Sequence, residues 1–195
     1  MDTRRFNKSK NPNEEMIVLL ENSMQYFSDE EFESLQKKLS QNNVYLMSFE
    51  NRHPKASLGD IGIFISKHAT ELIITGVIMP AVYEVIKASL KLIVYRIKER
   101  VKISQSGKIR EIVPCLIFIT QYGEVRAPIP TNLPKEQFER YMDEVKNAIE
   151  SIKPNPRIKY EYYIIEQNEN TLQVEVKTIL QYGQEQINKQ KKAKS

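Results

Sequence analysis

Tryptophan is absent, cysteine occurs once, histidine twice and glycine six times in 195 residues, and each scarcity removes a class of chemistry. A lone Cys115 cannot close an intrachain disulfide, and His53 and His68 stand too far apart for any recognised zinc spacing, so neither cofactor nor metal is expected. Glycine-rich phosphate loops are missing too. Gly59 and Gly62 share a G-x-x-G spacing, but no Gly-Lys-Ser/Thr follows and no G-x-G precedes. A turn with close backbone approach, and a candidate interaction point, is therefore the reading of Gly59, Asp60 and Gly62. Long apolar runs are also lacking. The uncharged run from Leu72 to Tyr83 contains Pro80 and falls well short of the roughly 20 residues a membrane-spanning helix needs. A membrane partner is not expected. The basic stretch Met1 to Phe6 is followed by polar residues instead of an apolar segment, so no secretory signal is expected and the cytoplasm is the expected compartment.

Charge is plentiful but mixed. Twenty-nine basic and 25 acidic residues leave a net +4. The excess sits at the ends: Arg4, Arg5, Lys8 and Lys10 fall in a polar arm, and Lys189, Lys191, Lys192 and Lys194 in a Gln/Lys tail too polar to bury surface. Residues 1–13 and 182–195 are expected to be disordered, flanking a single α+β domain over 14–181 with a sub-boundary near 101–108. Arg4, Arg5, Lys189, Lys191, Lys192 and Lys194 are the candidate phosphate contacts if the chain associates with nucleic acid.

The domain is organised around Leu58 to Val101. Met79, Val82, Ile86, Leu90, Ile93 and Ile97 recur every three or four residues, which predicts one buried helical face, with Glu84, Lys87 and Lys91 sharing a narrow charged stripe. Gly76 and Pro80 predict a break near Thr75 to Pro80. Upstream, Met16 to Leu20 and Val44 to Phe49 read as strands. Between them, Ser28-Asp29-Glu30-Glu31 reads as a capping box ahead of the stripe Phe32, Leu35 and Leu39, together a βαβ-like unit. Downstream, Val101 to Gln105, Ile109 to Thr120 and Glu124 to Ile129 read as a three-strand meander, its middle strand central despite Pro114. Pro134 opens a helix with Phe138, Tyr141, Met142, Val145 and Ile149 on its apolar face. A C-terminal hairpin follows, with Ile158, Tyr160, Tyr162 and Ile164 alternating inward and Leu172, Val174 and Val176 opposite them.

Nothing here assembles a nucleophile, a base and a polar pocket. Cys115 lies in the most apolar strand and reads as a structural thiol, and His68 reads as a solvent-facing or capping residue. The series Arg157, Lys159, Tyr160, Tyr162 and Tyr163 has the composition of a stacking surface for single-stranded nucleic acid, but its alternation assigns Tyr160 and Tyr162 to the core.

One pattern extends over residues 35 to 103. Leu35-Gln36-Lys37-Lys38-Leu39, a strand, Pro54, Leu58-Gly59-Asp60-Ile61-Gly62, the apolar Leu72 to Met79, and a long helix ending Tyr95-Arg96-Ile97-Lys98-Glu99-Arg100 before Val101-Lys102-Ile103 together resemble the effector-associated constant components of bacterial conflict systems. Met79-Pro80 stands where that family has paired glycines, its tryptophan is absent, and Ile109 to Ile179 exceeds its usual extent. The resemblance implies a non-enzymatic adaptor whose partner is another protein, an effector or a sensor, in a bacterial defence system. Homo-oligomer formation belongs to the same reading, and nucleic-acid association through the basic termini is the alternative.

Overall fold

The computed structural model describes residues 11, 14–51, 61–105, 107–167 and 173–192. The chain enters through strand β1 (Met16–Glu21), helix α1 (Asp29–Ser40) and strand β2 (Val44–Phe49), and β1 and β2 pair in parallel. The local reason is the capping box. The Glu31 amide donates to the Ser28 hydroxyl at 3.2 Å, and the Ser28 amide donates to the Glu31 carboxylate at 3.0 Å, which satisfies two donors the helix cannot. Asn43, at φ 57°, turns the chain in the left-handed region that asparagine tolerates.

Strand β3 (Ile61–Ile65) then runs antiparallel to β1. Helix α2 (Lys67–Thr75) follows it, and helix α3 (Pro80–Arg100) comes next. The expected break is present, but Pro80 occupies the first turn of α3 instead of interrupting it, a position where a missing amide costs nothing. Two corrections follow. Gly62 lies within β3 and not in a turn, its amide donating to the Glu21 carboxylate at 2.7 Å, while Gly59 and Asp60 lie outside the described residues. Met79 caps α3 and is 68% exposed, whereas Val82, Ile86, Leu90, Ile93 and Ile97 are buried as the period predicts.

Strands β4 (Ile103–Gln105) and β5 (Lys108–Arg110) form a separate two-stranded sheet, so the run from Ile109 to Thr120 is interrupted at 111–113. Strand β6 (Pro114–Ile119) begins at its proline, where no ladder amide is needed, and pairs with strand β7 (Gly123–Pro128). Helix α4 (Phe138–Glu150) leads to strands β8 (Glu161–Gln167) and β9 (Val174–Thr178), an antiparallel hairpin, and the chain continues into helix α5 (Ile179–Lys192). The seven-stranded mixed sheet has the order β2-β1-β3-β6-β7-β8-β9, with β6 central, and the fold is of the α+β class.

Helix α5 corrects the expectation of a disordered tail over residues 182–192; the basic arm, Asn11 apart, lies outside the described residues. Lys177 anchors α5. Its ammonium donates to Glu166 at 2.9 Å and to Glu185 at 2.6 Å, and Lys189 reaches Glu166 at 3.5 Å, tying the helix to the hairpin.

Val18, Leu20, Ile61, Ile63, Ile65, Leu116, Phe118, Val125, Ala127, Tyr163 and Ile165 lie in one core cluster with the buried faces of α1 to α4. Alternate strand residues face the other way, among them Gly62, Phe64, Cys115, Arg126 and Tyr162. No helix among the described residues is long and apolar enough to cross a membrane.

Candidate functional site

The cations of α3 are committed to the fold. Lys87, buried in spite of its charge, donates to Glu84 at 2.8 Å and to Asp143 of α4 at 3.2 Å, and Lys91 meets Glu139 at 2.8 Å. Desolvation acts to lower the Lys87 pKa, but the two carboxylates outweigh it and hold the pKa above its ordinary value. Toward the C-terminal end of α3, Arg96 and Arg100 converge on Glu31 at 3.0 and 2.8 Å. The Ser28 amide, aided by these guanidiniums against desolvation, holds the Glu31 carboxyl below the usual range. Lys98 donates to the Pro130 carbonyl at 2.8 Å, and burial lowers its pKa.

Of the two residues weighed for catalysis, Cys115 is buried in β6 and His68 lies in α2. Burial pushes the Cys115 thiol up to about 12, which leaves almost no thiolate at neutral pH. His68 sits in the first turn of α2, while Ser66 caps that helix by accepting from the Ala69 amide at 3.4 Å. Among the described residues no group of three His, Cys, Asp or Glu side chains is placed to hold a metal ion. Of the candidate phosphate contacts, Lys189 is paired with Glu166, Lys191 is exposed on α5, Lys192 lies at the end of that helix, and Arg4, Arg5 and Lys194 lie outside the described residues.

Three surface features remain. The first is the corner between α2 and α3. Gly76, at φ 68°, ends α2 in the left-handed conformation, and six uncharged residues from Gly76 to Ala81 turn the chain into α3. Ile78 anchors the corner against the core and donates its amide to the Leu72 carbonyl at 3.3 Å. Val77 and Met79, on either side of it, stand 72% and 68% exposed. The helical period hid this corner by extending the buried face one residue too far, to Met79.

The second feature is a groove of about 220 Å³ where β7 ends, lined by Pro128, Pro130, Asn132, Ile164, Glu166 and Tyr182. Pairing of β7 with β8 stops at Arg126 and Ile164 because Pro128 has no amide to continue the ladder, and β8 runs on beside β9 alone. Burial raises the Glu166 pKa, but Lys177, with Lys189, more than offsets this and holds it low. The acidic member of the groove is thus committed to anchoring α5.

The third feature corrects the expected core. Tyr160 and Tyr162 are 46% and 45% exposed, with ring centroids 5.5 Å apart, and Ile158 before them is 42% exposed. Strand β8 starts only at Glu161, and its buried residues are Tyr163, Ile164 and Ile165. Tyr160 closes the loop 151–160 and Tyr162 lies just beyond it, and in that loop Lys153, Arg157 and Lys159 are exposed and make no ion pair among the described residues. No family model, no curated protein sequence and no solved structure matches the chain.

Proposed function

We propose that the chain is a non-enzymatic protein-binding module, an adaptor that engages another protein through the corner between α2 and α3. The observation that supports it is the exposure of Val77 and Met79 within a six-residue run carrying no charge. Exposed apolar side chains on either side of one residue reduce solubility unless a partner covers them, and here the half-buried Ile78 between them packs on the core and fixes them in place. A pre-shaped apolar corner binds with little loss of conformational freedom, which suits a protein coupling a sensor to an effector in a bacterial, cytoplasmic defence system. The buried apolar stripe of α3 is taken up by the core and forms no part of the proposed surface.

Val77→Asp with Met79→Asp tests the reading, since both side chains lie largely in water and their replacement leaves the core untouched. Affinity purification from the native host, quantified by mass spectrometry, is expected to return a partner with the parent chain and to lose it with the double variant at an unchanged melting temperature. An identical set of captured proteins for both would overturn the proposal.

A further inference from the structure

We infer that Tyr160 and Tyr162, with Lys153, Arg157 and Lys159, form a binding surface for single-stranded nucleic acid, a role that goes beyond the adaptor reading. Two requirements define such a surface: aromatic faces on which unstacked bases can lie, and cations along the path of the phosphates. The rings supply the first. They are held at 74° to one another, so each offers a separate face, and neither is enclosed by the fold. The loop supplies the second. Its three cations stand against one carboxylate in the stretch 151–162, that of Glu161, which already accepts from the Tyr163 hydroxyl at 2.7 Å. On the neighbouring strand Glu124 faces Tyr162 across the sheet, and its charge is answered by Arg126 at 2.6 Å.

The surface is also built in advance. Pro154 and Pro156 fix two backbone angles, the Arg157 amide donates to the Asn155 side chain at 3.0 Å, and the Ile158 amide to the Asn155 carbonyl at 3.0 Å. At its far end the Glu161 amide donates to the Tyr122 carbonyl at 3.0 Å, which fixes where β8 begins and therefore where both tyrosines point. Ordering a loop on binding would cost affinity, and this loop is already ordered. A duplex hides its base faces in the stack, so exposed rings select single strands. No base edge is singled out by this arrangement, and the preference is for unpaired chain over sequence.

Titration of the full-length protein into a fluorescein-labelled oligothymidylate of about 12 nucleotides, followed by anisotropy, tests the inference. Binding is expected to weaken between about 50 and about 200 mM salt, and replacing Lys153, Arg157 and Lys159 together by serine is expected to reduce the log–log salt slope by about 2. Tyr160→Ala and Tyr162→Ala are each expected to weaken binding about tenfold at unchanged melting temperature, while the phenylalanine variants, which keep the stacking face, retain it. Binding that persists undiminished without both rings, equal affinity for a duplex of the same length, stronger capture by phosphatidylserine vesicles, or no binding at about 100 µM protein would each overturn the assignment.

Discussion

The cations of α3 and those of the loop 151–160 are the same residue types with opposite fates. Lys87, Lys91, Arg96 and Arg100 each meet a carboxylate on α1, α3 or α4, and Lys98 meets two backbone carbonyls. Lys153, Arg157 and Lys159 meet none among the described residues. Position decides the difference. A helix packed against α1 and α4 brings charges of both signs within reach, whereas the exposed loop ahead of β8 places its cations in water. Paired cations stabilise one packing of the helices; unpaired ones remain available to an anionic ligand. The contrast separates residues that serve the fold from residues that can serve a partner.

The contrast is tested most strongly at Lys87. Its ammonium is answered by Glu84 and Asp143, and its hydrocarbon stem is buried against α4. Lys87→Ala removes both the stem packing and the bridge, at an expected cost of about 1 to 2 kcal/mol, because the two abandoned carboxylates are half-exposed and rehydrate. A fall of about 2 to 8 °C in melting temperature follows for a chain of this size. Lys87→Met keeps the stem volume and is expected to lie within about 1 kcal/mol of the parent. Equal melting of all three proteins would mean that Lys87 is no more committed to the fold than the loop cations.

Glu31 offers a smaller effect with a defined pH window. Its carboxyl, held low by the Ser28 amide and by Arg100 and Arg96, has a folded pKa below its ordinary value of 4.5. A depressed folded pKa contributes stability that is fully present above the unfolded value and is lost as pH falls through the folded one. Melting temperature is therefore expected to decline below about pH 4.5 partly through Glu31. Glu31→Gln should lower stability at neutral pH and narrow its gap to the parent as acid protonates the parent carboxyl. A gap that is constant from pH 7 to pH 3 would remove Glu31 from the acid response.

Much of this division was legible in the residues. The capping box, the parallel β1-α1-β2 unit, the buried stripe of α3 and the apolar face of α4 all follow from short-range patterns that tertiary contacts reinforce. Three features were not. Ile61–Ile65 is buried at residues of both parities, with only Phe64 partly exposed, so it shows no alternation and merged with the apolar residues of the next helix. The polar composition of α5 concealed a helix held by Lys177 and Lys189, a pairing set by tertiary geometry alone. Tyr160 and Tyr162 carried the apolar parity of a half-buried strand. Ile164 shares that parity and is buried, lining the same groove as Tyr182 of α5, but neither tyrosine has such cover. Alternation identifies a face, and only the neighbouring element determines whether that face is dry.

The smallest expected effect is the most informative about the loop. If Lys153, Arg157 and Lys159 have no role in the fold, replacing all three by serine should shift unfolding free energy by no more than about 0.5 kcal/mol, because exposed substitutions without caps, pairs or strain rarely do more. The loop geometry rests on Asn155 and two prolines, none of which the variant touches. Denaturant unfolding of parent and triple variant at low and high salt gives the measurement. Coincident curves at both salts place the three cations outside the fold and leave a ligand as the reason for their clustering. A loss of stability that salt abolishes would show that they are paired in solution after all, and the loop would join α3 on the structural side of the comparison.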